Sequence, residues 1–285
     1  MKYIKTFNEN INSSDSICEK YNIKNYIINE DGSIDVDGKV DLYNKKLKVL
    51  PLKFRKVSGD FHCGCNQLTS LEGAPKSVGG EFRCRNNKLT SLVGSPQRVG
   101  GDFNCSVNQL TSLEGAPQSI GGYFECGDNQ LTSLVGCPQS VGGDFYCSVN
   151  QLTSLEGAPQ RVGGDFECSG NNLTSLEGAP KRVYGDFLCR NNKLKNIDYL
   201  PKTYKKLGIS GNPIFKIIRL FITSNEYVGI SNRENKNLIM DFIDREIIQQ
   251  DKLLANRLVE FLDDIGKPKS KEELIDLLKN DYEIR

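Results

Sequence analysis

The chain has 285 residues, 38% of them hydrophobic and 26% charged, and its formal net charge is +1. The segment from Ile214 onward has 12 basic and 14 acidic residues, so neither it nor the remainder is the basic body that nucleic-acid binding requires. The first ten residues, MKYIKTFNEN, contain no apolar core of signal-peptide length, and no stretch approaches the length of a membrane span. We expect no nucleic-acid partner, no membrane partner and no cofactor.

Residues 1–32 are predicted to form an N-terminal flank or cap. Ile23, Tyr26 and Ile28 favour a strand or a short helix that covers the exposed end of a sheet. The Asp-Gly pairs that begin at Asp31 and Asp37 indicate turns.

A repeat of twenty-one residues runs through residues 33–213, in seven clear copies and two degenerate ones. Each clear copy has a cysteine, a phenylalanine two residues before it, an asparagine three after it and a proline twelve after it. The consensus is FxCxxNxLTSLxGxPxxVGGD, and the cysteines are Cys63, Cys84, Cys105, Cys126, Cys147, Cys168 and Cys189. Such a fixed interval predicts a solenoid, in which one structural unit is stacked on copies of itself.

Each copy is predicted to contain one short strand. The Phe-x-Cys alternation buries two side chains on one face, and twenty-one residues are too few for a strand and a long helix. Consecutive strands should therefore lie parallel, about 4.8 Å apart. The rest of each copy, which leads from the asparagine through the proline back to the next strand, is here called the return side. Because proline has no N–H to donate to a β-ladder, the return side is predicted to be extended or turn-like rather than a second sheet. The asparagine is predicted to be buried and to bond backbone groups of its own and the adjacent turn.

The FxCxxNxL core resembles the LxLxxNxL core of leucine-rich repeats, with phenylalanine and cysteine in the first two apolar positions. The short period is similar to that of the smallest bacterial class, and the LTSLEGAPxxVGG segment is more like repeat proteins of bacteriophage and bacterial genomes. The resemblance covers about Ser33 to Phe215. It implies a repeat solenoid with a leucine-rich-repeat-like parallel β-sheet on the concave side and an irregular convex side. It also implies a protein-binding role without catalytic residues.

Residues 214–285 are predicted to form a small α-helical C-terminal cap. Helical spacing of apolar residues predicts three helices, with Ile214, Ile217, Ile218 and Phe221 in the first, Leu238, Ile239, Phe242 and Ile243 in the second, and Leu253, Leu254, Leu258, Phe261 and Leu262 in the third. Ser270 and Glu273 form a predicted capping box for a last helix that carries Leu274, Leu277 and Leu278. Such helices would shield the open sheet edge of the last repeat. A separate small interaction module is the alternative.

The repeated cysteines are predicted to face a packed core as small hydrophobic side chains, which fits a reducing, cytoplasmic location. Cys18 and Cys65 are predicted to be the most reactive thiols. The segment from His62 to Cys65 is the one local cluster of ligand-type residues, but strand alternation points His62 outward and Cys63 inward, so we expect no metal site. The chain has one histidine, which nearly excludes the usual serine or cysteine nucleophile arrangements.

An acidic column precedes the repeated phenylalanines. Its members are Asp60, Glu81, Asp102, Asp144, Asp165 and Asp186, and Tyr123 takes the same position in the remaining turn. Like charges on adjacent strands repel one another. One interpretation is a stripe for cations or a basic partner. The other, which we favour, is that each carboxylate accepts hydrogen bonds from nearby backbone amides or side chains.

The column between phenylalanine and cysteine indicates function, because its chemistry changes at each turn while its neighbours keep a fixed residue type. It reads His62, Arg83, Asn104, Glu125, Tyr146, Glu167 and Leu188. An irregular face on a regular scaffold is typical of a recognition surface. Drift on a solvated face is the alternative, but Tyr123 and Tyr146 favour recognition, since aromatic residues anchor interfaces. The candidate binding residues are Arg83, Arg85, Asn104, Tyr123, Glu125, Tyr146, Glu167 and Leu188.

The sequence therefore predicts a non-enzymatic scaffold that binds a protein partner through the concave face of its sheet. A structural or virion-associated assembly component is the first alternative. A carbohydrate-active parallel β-helix, in which paired acidic residues cut glycosides, is the second. The proline and asparagine columns weigh against that β-helix.

Overall fold

The computed structural model describes residues 13–222, 233–249 and 252–285. Its largest part is a β-solenoid of about eight turns, followed by a small group of α-helices. This confirms the predicted fold class, a repeat solenoid with parallel sheets and C-terminal helices. Strands and helices are numbered below in chain order.

Nine strands form one parallel sheet along the solenoid, here called the main sheet. Equivalent residues of neighbouring turns lie opposite one another, as Phe103 and Phe124 do. The degenerate copies join in the predicted register, with Leu207 opposite Phe187 at the C-terminal end. The strands are β3 (Val40–Asp41), β5 (Phe61–His62), β7 (Phe82–Arg83), β9 (Phe103–Asn104), β11 (Phe124–Glu125), β13 (Phe145–Tyr146), β15 (Phe166–Glu167), β17 (Phe187–Leu188) and β18 (Leu207–Gly208).

The repeated phenylalanines and cysteines fill the interior of the solenoid. All seven of each are fully buried, and the phenylalanine rings of successive turns stack with their centroids 5.3–5.5 Å apart. The repeated leucines are buried with them. Burying a phenylalanine or leucine side chain contributes about 1.5–3 kcal/mol. Identical inward columns therefore hold each turn to the next.

The return side of the solenoid also forms parallel ladders, so the prediction that it has no second sheet is wrong. From the strand Ser77–Val78 onward, the repeated proline lies two residues before each return strand, so the ladder does not need the N–H that proline lacks. One sheet contains β2 (Ile34–Val36), β4 (Phe54–Val57), β6 (Ser77–Val78), β8 (Arg98–Val99) and β10 (Ser119–Ile120), and another contains β12 (Ser140–Val141), β14 (Arg161–Val162) and β16 (Arg182–Val183).

The repeated asparagines bridge successive turns. Nδ2 of Asn129 donates to the carbonyl oxygens of Cys105, Cys126 and Gly127 at 3.1–3.2 Å, and its Oδ1 accepts from the N–H of Leu110 at 3.0 Å. This confirms the predicted role of the asparagine column, in which one amide serves the backbone of two turns. The same pattern is found at Asn87, Asn108, Asn150, Asn171 and Asn192.

A helix and an antiparallel strand cover the N-terminal end of the solenoid. Residues 13–20 are helical (α1), and β1 (Tyr26–Ile28) pairs antiparallel with β2. Cys18 and Ile23 are buried in this region. These elements confirm the strand or helix predicted for the flank. Residues 1–12 of that flank, with the MKYIKTFNEN segment, lie outside the described residues.

Four helices and a small sheet follow the last turn in the described ranges. Asn212 continues the asparagine column and is also the N-cap residue of the first of these helices, so helix begins where the repeat ends. The helices are α2 (Pro213–Phe221), α3 (Arg233–Asp244), α4 (Ala255–Asp264) and α5 (Lys271–Leu278), and the sheet contains β19 (Ile248–Gln249), β20 (Lys252–Leu253) and β21 (Glu283–Ile284).

The predicted helical faces are confirmed in most respects. All four apolar residues predicted for α2 are buried, and Ser270 and Glu273 form the predicted capping box of α5. Leu253 lies in β20 rather than in α4, and Leu277 is 45% exposed rather than packed. Phe221, Phe242 and Phe261 from α2, α3 and α4 pack together with ring centroids 5.0–5.8 Å apart. Among the described residues, no helix has both the length and the apolar composition to cross a membrane.

Candidate functional site

The outward face of the main sheet, on the side away from the phenylalanine stack, is the candidate site. Pairing places Glu125 between Asn104 and Tyr146 on adjacent strands, so the predicted residues of the centre are brought together. Arg85 is exposed. Six further candidates are half-buried, and these are Arg83, Tyr123, Glu125, Tyr146, Glu167 and Leu188.

Asn104 differs from this pattern because its side chain is buried, with 6% exposed. Its Nδ2 donates to Oε2 of Glu125 at 2.5 Å, and its Oδ1 accepts from the backbone N–H and the hydroxyl of Ser106 at 3.0 and 2.8 Å. From its place in the outward column, Asn104 is expected to be exposed, and this expectation is wrong. Hydrogen-bonding neighbours cover this amide, and it positions Glu125.

Four aspartates of the acidic column accept a hydrogen bond from the next turn. Their Oδ1 atoms lie 2.7–2.9 Å from the backbone nitrogens of the residues one turn on. A Cβ on Gly122 or Gly164 would lie 1.9–2.0 Å from the aspartate Oδ1 atom that occupies this space, which explains the second glycine of these two Gly-Gly pairs. The favoured interpretation of the column is confirmed for these four, Asp60, Asp102, Asp144 and Asp165.

Ion pairs neutralise the two ends of the outward face. Glu81 pairs with Arg83 at 2.5 Å and lies 3.5 Å from the imidazole of His62. Asp186 pairs with Lys206 at 3.8 Å at the other end. Both ends therefore carry cations close to their carboxylates.

The centre of the outward face lacks ion pairs of this kind. It is formed by β9, β11, β13 and β15 with the residues that flank them. These strands present no basic residue on the face. Within the part of the chain that the structure describes, none of their carboxylates makes an ion pair. The six acidic residues are Asp102, Glu125, Asp128, Asp144, Asp165 and Glu167.

Tyr123 and Tyr146 lie edge to face at this acidic centre, with ring centroids 6.2 Å apart and an interplanar angle of 62°. The Tyr146 hydroxyl donates to Oδ2 of Asp144 at 2.7 Å. Burial, followed by this hydrogen bond to Asp144, raises the pKa of Tyr146 well above its ordinary value. Tyr146 therefore stays a neutral donor with a fixed ring.

Glu125 is a half-buried carboxylate of the centre that accepts the hydrogen bond from Asn104. Burial raises its pKa, and the hydrogen bond from Ser106 and the positive charge of Arg85 act in the opposite direction. A partner cation close to Glu125 would therefore stabilise its charged form.

A column of residues in the left-handed conformation borders the face, two positions after each cysteine. Asparagine, aspartate and glycine adopt this conformation readily, whereas a β-branched side chain there is a strained outlier. Val107 and Val149 both have φ of 55° and are 45% and 55% exposed. Sequence reasoning missed this rim, although a valine in a column that otherwise holds Cys65, Asn86, Asp128, Gly170 and Asn191 was an available signal.

Charge is segregated along the solenoid, which the net charge conceals. Residues 39–101 contain 12 basic and 4 acidic residues, residues 102–180 contain one basic and nine acidic, and residues 181–206 contain eight basic and two acidic. The sequence alone indicates an acidic-aromatic centre of Glu125, Asp128, Asp144 and Glu167 around the two tyrosines, with Arg83 and Arg85 toward one end. The basic blocks on both sides were missed because charge was counted over whole domains rather than per turn. Residues 102–180, the acidic part of the solenoid, contain both tyrosines of the outward face, Tyr123 and Tyr146.

The seven repeated cysteines are fully buried in the folded chain. All ten cysteines are free, and burial raises the pKa of the inward thiols, to about 12 for Cys63 and Cys189. In the described ranges, no group of three or more histidine, cysteine, aspartate or glutamate side chains is arranged to hold a metal ion.

Two further cysteines were predicted to be reactive, and they differ from each other. Cys18 is fully buried, and burial raises its pKa to about 11, so this part of the prediction is wrong. Cys65 is half-buried and accepts from Nδ2 of Asn86 at 3.3 Å. The hydrogen bond from Tyr43 is the main cause of a lowered pKa at the Cys65 thiol.

A groove of about 650 Å³ lies where the last turn meets α3. Tyr199 and Met240 on its rim are 63% and 50% exposed, and Nζ of Lys236 lies 4.4 Å from the ring centroid of Tyr204. The lining is mostly apolar, without the combination of unpaired charge and paired aromatic rings found on the main sheet. The outward face is therefore the stronger candidate site.

No family model matches the chain, and no curated protein matches it in sequence.

Proposed function

We propose that the chain is a non-enzymatic, leucine-rich-repeat-like scaffold whose protein partner binds across the outward face of the main sheet. The observation that carries the proposal is the contrast between the two sides of each strand. Inward positions repeat phenylalanine and cysteine in all seven clear turns, whereas the outward position has different chemistry in nearly every turn. Packing explains the constant side, and recognition explains a varied side that concentrates its tyrosines at the centre.

The geometry of the centre supports binding rather than catalysis. Four aspartates there and at the edge hold backbone N–H groups of the next turn, so they build the scaffold. The tyrosine pair is half-buried and held by the bond from Tyr146 to Asp144, so it offers a large rigid surface at low entropic cost. A rigid aromatic anchor surrounded by polar groups is typical of a protein interface.

We also propose a reducing, cytoplasmic location. The seven inward cysteines are fully buried and unpaired, and neighbouring strands bring them close enough for oxidation to be a hazard during folding. Trapping the thiols by rapid alkylation of intact cells tests this proposal. Recovery of the seven repeated cysteines (the ladder cysteines) as disulfides would contradict it.

Capture from a lysate of the native host, with the purified chain as bait, tests the binding proposal. A Tyr123→Ala/Tyr146→Ala variant is compared with wild type and with a Gln118→Ala/Gln139→Ala variant, whose changes lie on the exposed return side. We expect each tyrosine change to weaken binding by about 1 kcal/mol or more, and the glutamine changes to have no effect. Melting curves of all three proteins control for folding. Equal capture by the tyrosine variant and the wild type would reject this face as the binding site.

A further inference from the structure

The balance of charge on the outward face differs between its ends and its centre. Each end places a cation of the chain itself against its carboxylates, through Arg83 and Lys206. The centre has six carboxylates over four adjacent strands and no basic residue. Like charges on adjacent strands are destabilising, and backbone N–H groups satisfy only one oxygen of three of these side chains. Arg83 and Arg85, beyond β9, act on Glu125, but the four strands of the centre carry no basic residue on this face, so the counter-charge that the centre lacks is positive.

Tyr123 and Tyr146 lie among these carboxylates, where a positively charged group of a partner would bind. Tyr123 replaces an acidic residue in its column, and its ring meets that of Tyr146 within the acidic centre. A planar guanidinium can stack on an aromatic ring and pair with a carboxylate at the same time, which an ammonium does less well. The pair therefore favours arginine over lysine.

The rim gives a second, independent indication. Val107 and Val149 keep exposed apolar side chains in a strained conformation that the asparagine and aspartate of neighbouring turns adopt without strain. They follow β9 and β13, on either side of Asp128 in the same column. Aliphatic side chains of a partner would cover them.

From these relationships we infer that the partner presents a short cationic polypeptide segment, with an arginine on the Tyr123–Tyr146 pair and aliphatic side chains over Val107 and Val149. This inference rests on the proposed function and specifies the chemistry of its partner. Four strands at about 4.8 Å spacing give a face about 14 Å long, which an extended segment of four to five residues spans. Arg85 and Arg190, after β7 and β17, would repel a longer basic segment and fix its position.

Calorimetric titration with capped octapeptides tests the inference on the full chain. In each probe only the central five residues are varied, and they alternate leucine with arginine, with lysine or with glutamate, while uncharged glycine and serine residues complete the octapeptide so that no charge reaches Arg85 or Arg190. We expect the arginine peptide to bind, the lysine peptide to bind about three- to tenfold more weakly and the glutamate peptide not to bind. Raising NaCl from 50 to 300 mM should weaken the arginine complex.

Two variants with equal loss of charge separate the face from bulk electrostatics. Glu125→Gln/Asp128→Asn/Glu167→Gln removes three charges from the face, and Glu114→Gln/Glu156→Gln/Glu177→Gln removes three exposed charges from the return side. We expect at least a tenfold loss of affinity in the first and less than twofold in the second. Tyr123→Ala should abolish the preference for arginine over lysine. The aspartates that accept backbone N–H groups are left intact, so both variants should melt like wild type.

Equal losses in the two charge variants, or no binding of the arginine peptide, would overturn the inference. A cellular partner that is captured through the tyrosines while the arginine peptide fails to bind would leave the proposed function standing and refute only the cationic chemistry. Capture that the tyrosine variant leaves unchanged would refute the proposed function itself.

Discussion

The side-chain oxygen of Asn129 accepts a hydrogen bond from the backbone N–H of Leu110, nineteen residues earlier, at 3.0 Å. The same amide donates to carbonyl oxygens of both turns. One buried side chain therefore completes the hydrogen bonding of two bends that no ladder serves.

Replacing Asn129 with alanine should destabilise the fold strongly. The change leaves the N–H of Leu110 and up to three carbonyl oxygens without this partner, and each unsatisfied buried group costs about 1–3 kcal/mol. Urea unfolding should show a loss of at least about 2 kcal/mol. The exposed neighbour Gln130 provides the control, since Gln130→Ala should change stability by less than about 0.5 kcal/mol. Similar losses at both sites would contradict the assigned role of the asparagine column.

Asp102 and Gly122 should be energetically coupled. A Cβ on Gly122 would lie 2.0 Å from Oδ1 of Asp102, the atom that accepts from the N–H of Tyr123. Gly122→Ala should therefore break that bond and destabilise by about 1–3 kcal/mol. Gly143→Ala is the matched control, because no aspartate carboxylate reaches its Cβ position.

A double-mutant cycle measures this coupling. In an Asp102→Ala background the collision is removed, so Gly122→Ala should cost clearly less than it does in wild type. Additive effects of the two changes would show that the carboxylate and the glycine are independent.

The stability of the solenoid should fall as pH rises above about 9. A cysteine has an ordinary pKa near 9.0, whereas burial raises the pKa of Cys63 and Cys189 to about 12 and that of the other ladder thiols as well. Between these values the unfolded chain binds fewer protons than the folded chain, so unfolding becomes easier as pH rises. The loss contributed by one such thiol is at most about 1.4 kcal/mol per pH unit, a slope reached only well above pH 9.

Urea titrations at pH 8, 9 and 10 test this dependence. A Cys105→Ala/Cys126→Ala variant should be less stable at pH 8 but should lose less further stability between pH 9 and 10. An unchanged slope in the variant would assign the alkaline loss to other groups.

Cys65 should be the first of the ten cysteines to react in the folded chain. It is half-buried, and hydrogen bonds from Tyr43 and Asn86 lower its pKa, whereas the ladder thiols are fully buried. Mass spectrometry after brief alkylation with iodoacetamide at pH 7.5 should find label at Cys65 well before Cys18. Tyr43→Phe should slow the reaction by raising the pKa of the thiol. Early labelling of ladder cysteines would contradict their inward position.

Relieving the strain at Val149 should stabilise the fold at the expense of the rim. Val149→Asn places a residue suited to φ of 55° at that position and should add about 1 kcal/mol. The reciprocal change Asn191→Val, in the same column at φ of 51°, should remove a similar amount. Thermal melts of the two variants should shift in opposite directions, and shifts in the same direction would contradict the strain argument.

The columns that face inward could be predicted from the sequence because each side chain packs against a copy of itself. Phe124 lies between Phe103 and Phe145, so the requirement is the same in every turn and leaves a visible period. The asparagine column follows the same logic, since its partners are backbone atoms that recur in each turn.

The return sheets escaped prediction because their strands carry little sequence signal. A return strand such as Ser140–Val141 has one buried residue, whereas each clear strand of the main sheet is marked by the alternating Phe-x-Cys pair. Proline was also given too much weight, because the ladder begins only after it.

Features that depend on unlike neighbours could not be predicted from the period. Asn104 is covered because Glu125 and Ser106 stand beside it, and Cys18 is buried by packing outside the repeat. The left-handed backbone at Val107 is imposed by the turn against the preference of the residue. The identity of a binding partner leaves no period at all, so the functional residues were accessible only as departures from the repeat.

The constant step of the solenoid has a consequence for how such a chain can change. Because equivalent residues pair in every turn, removing or duplicating one whole repeat joins surfaces that already match, such as Phe103 with Phe145 after loss of a turn. Recombination within the gene can then add, remove or reorder acidic strands between their basic neighbours. The hydrophobic core does not have to change, because the inward phenylalanine and cysteine are the same in every clear repeat. Binding specificity can evolve by whole strands, while the inward columns keep each product foldable.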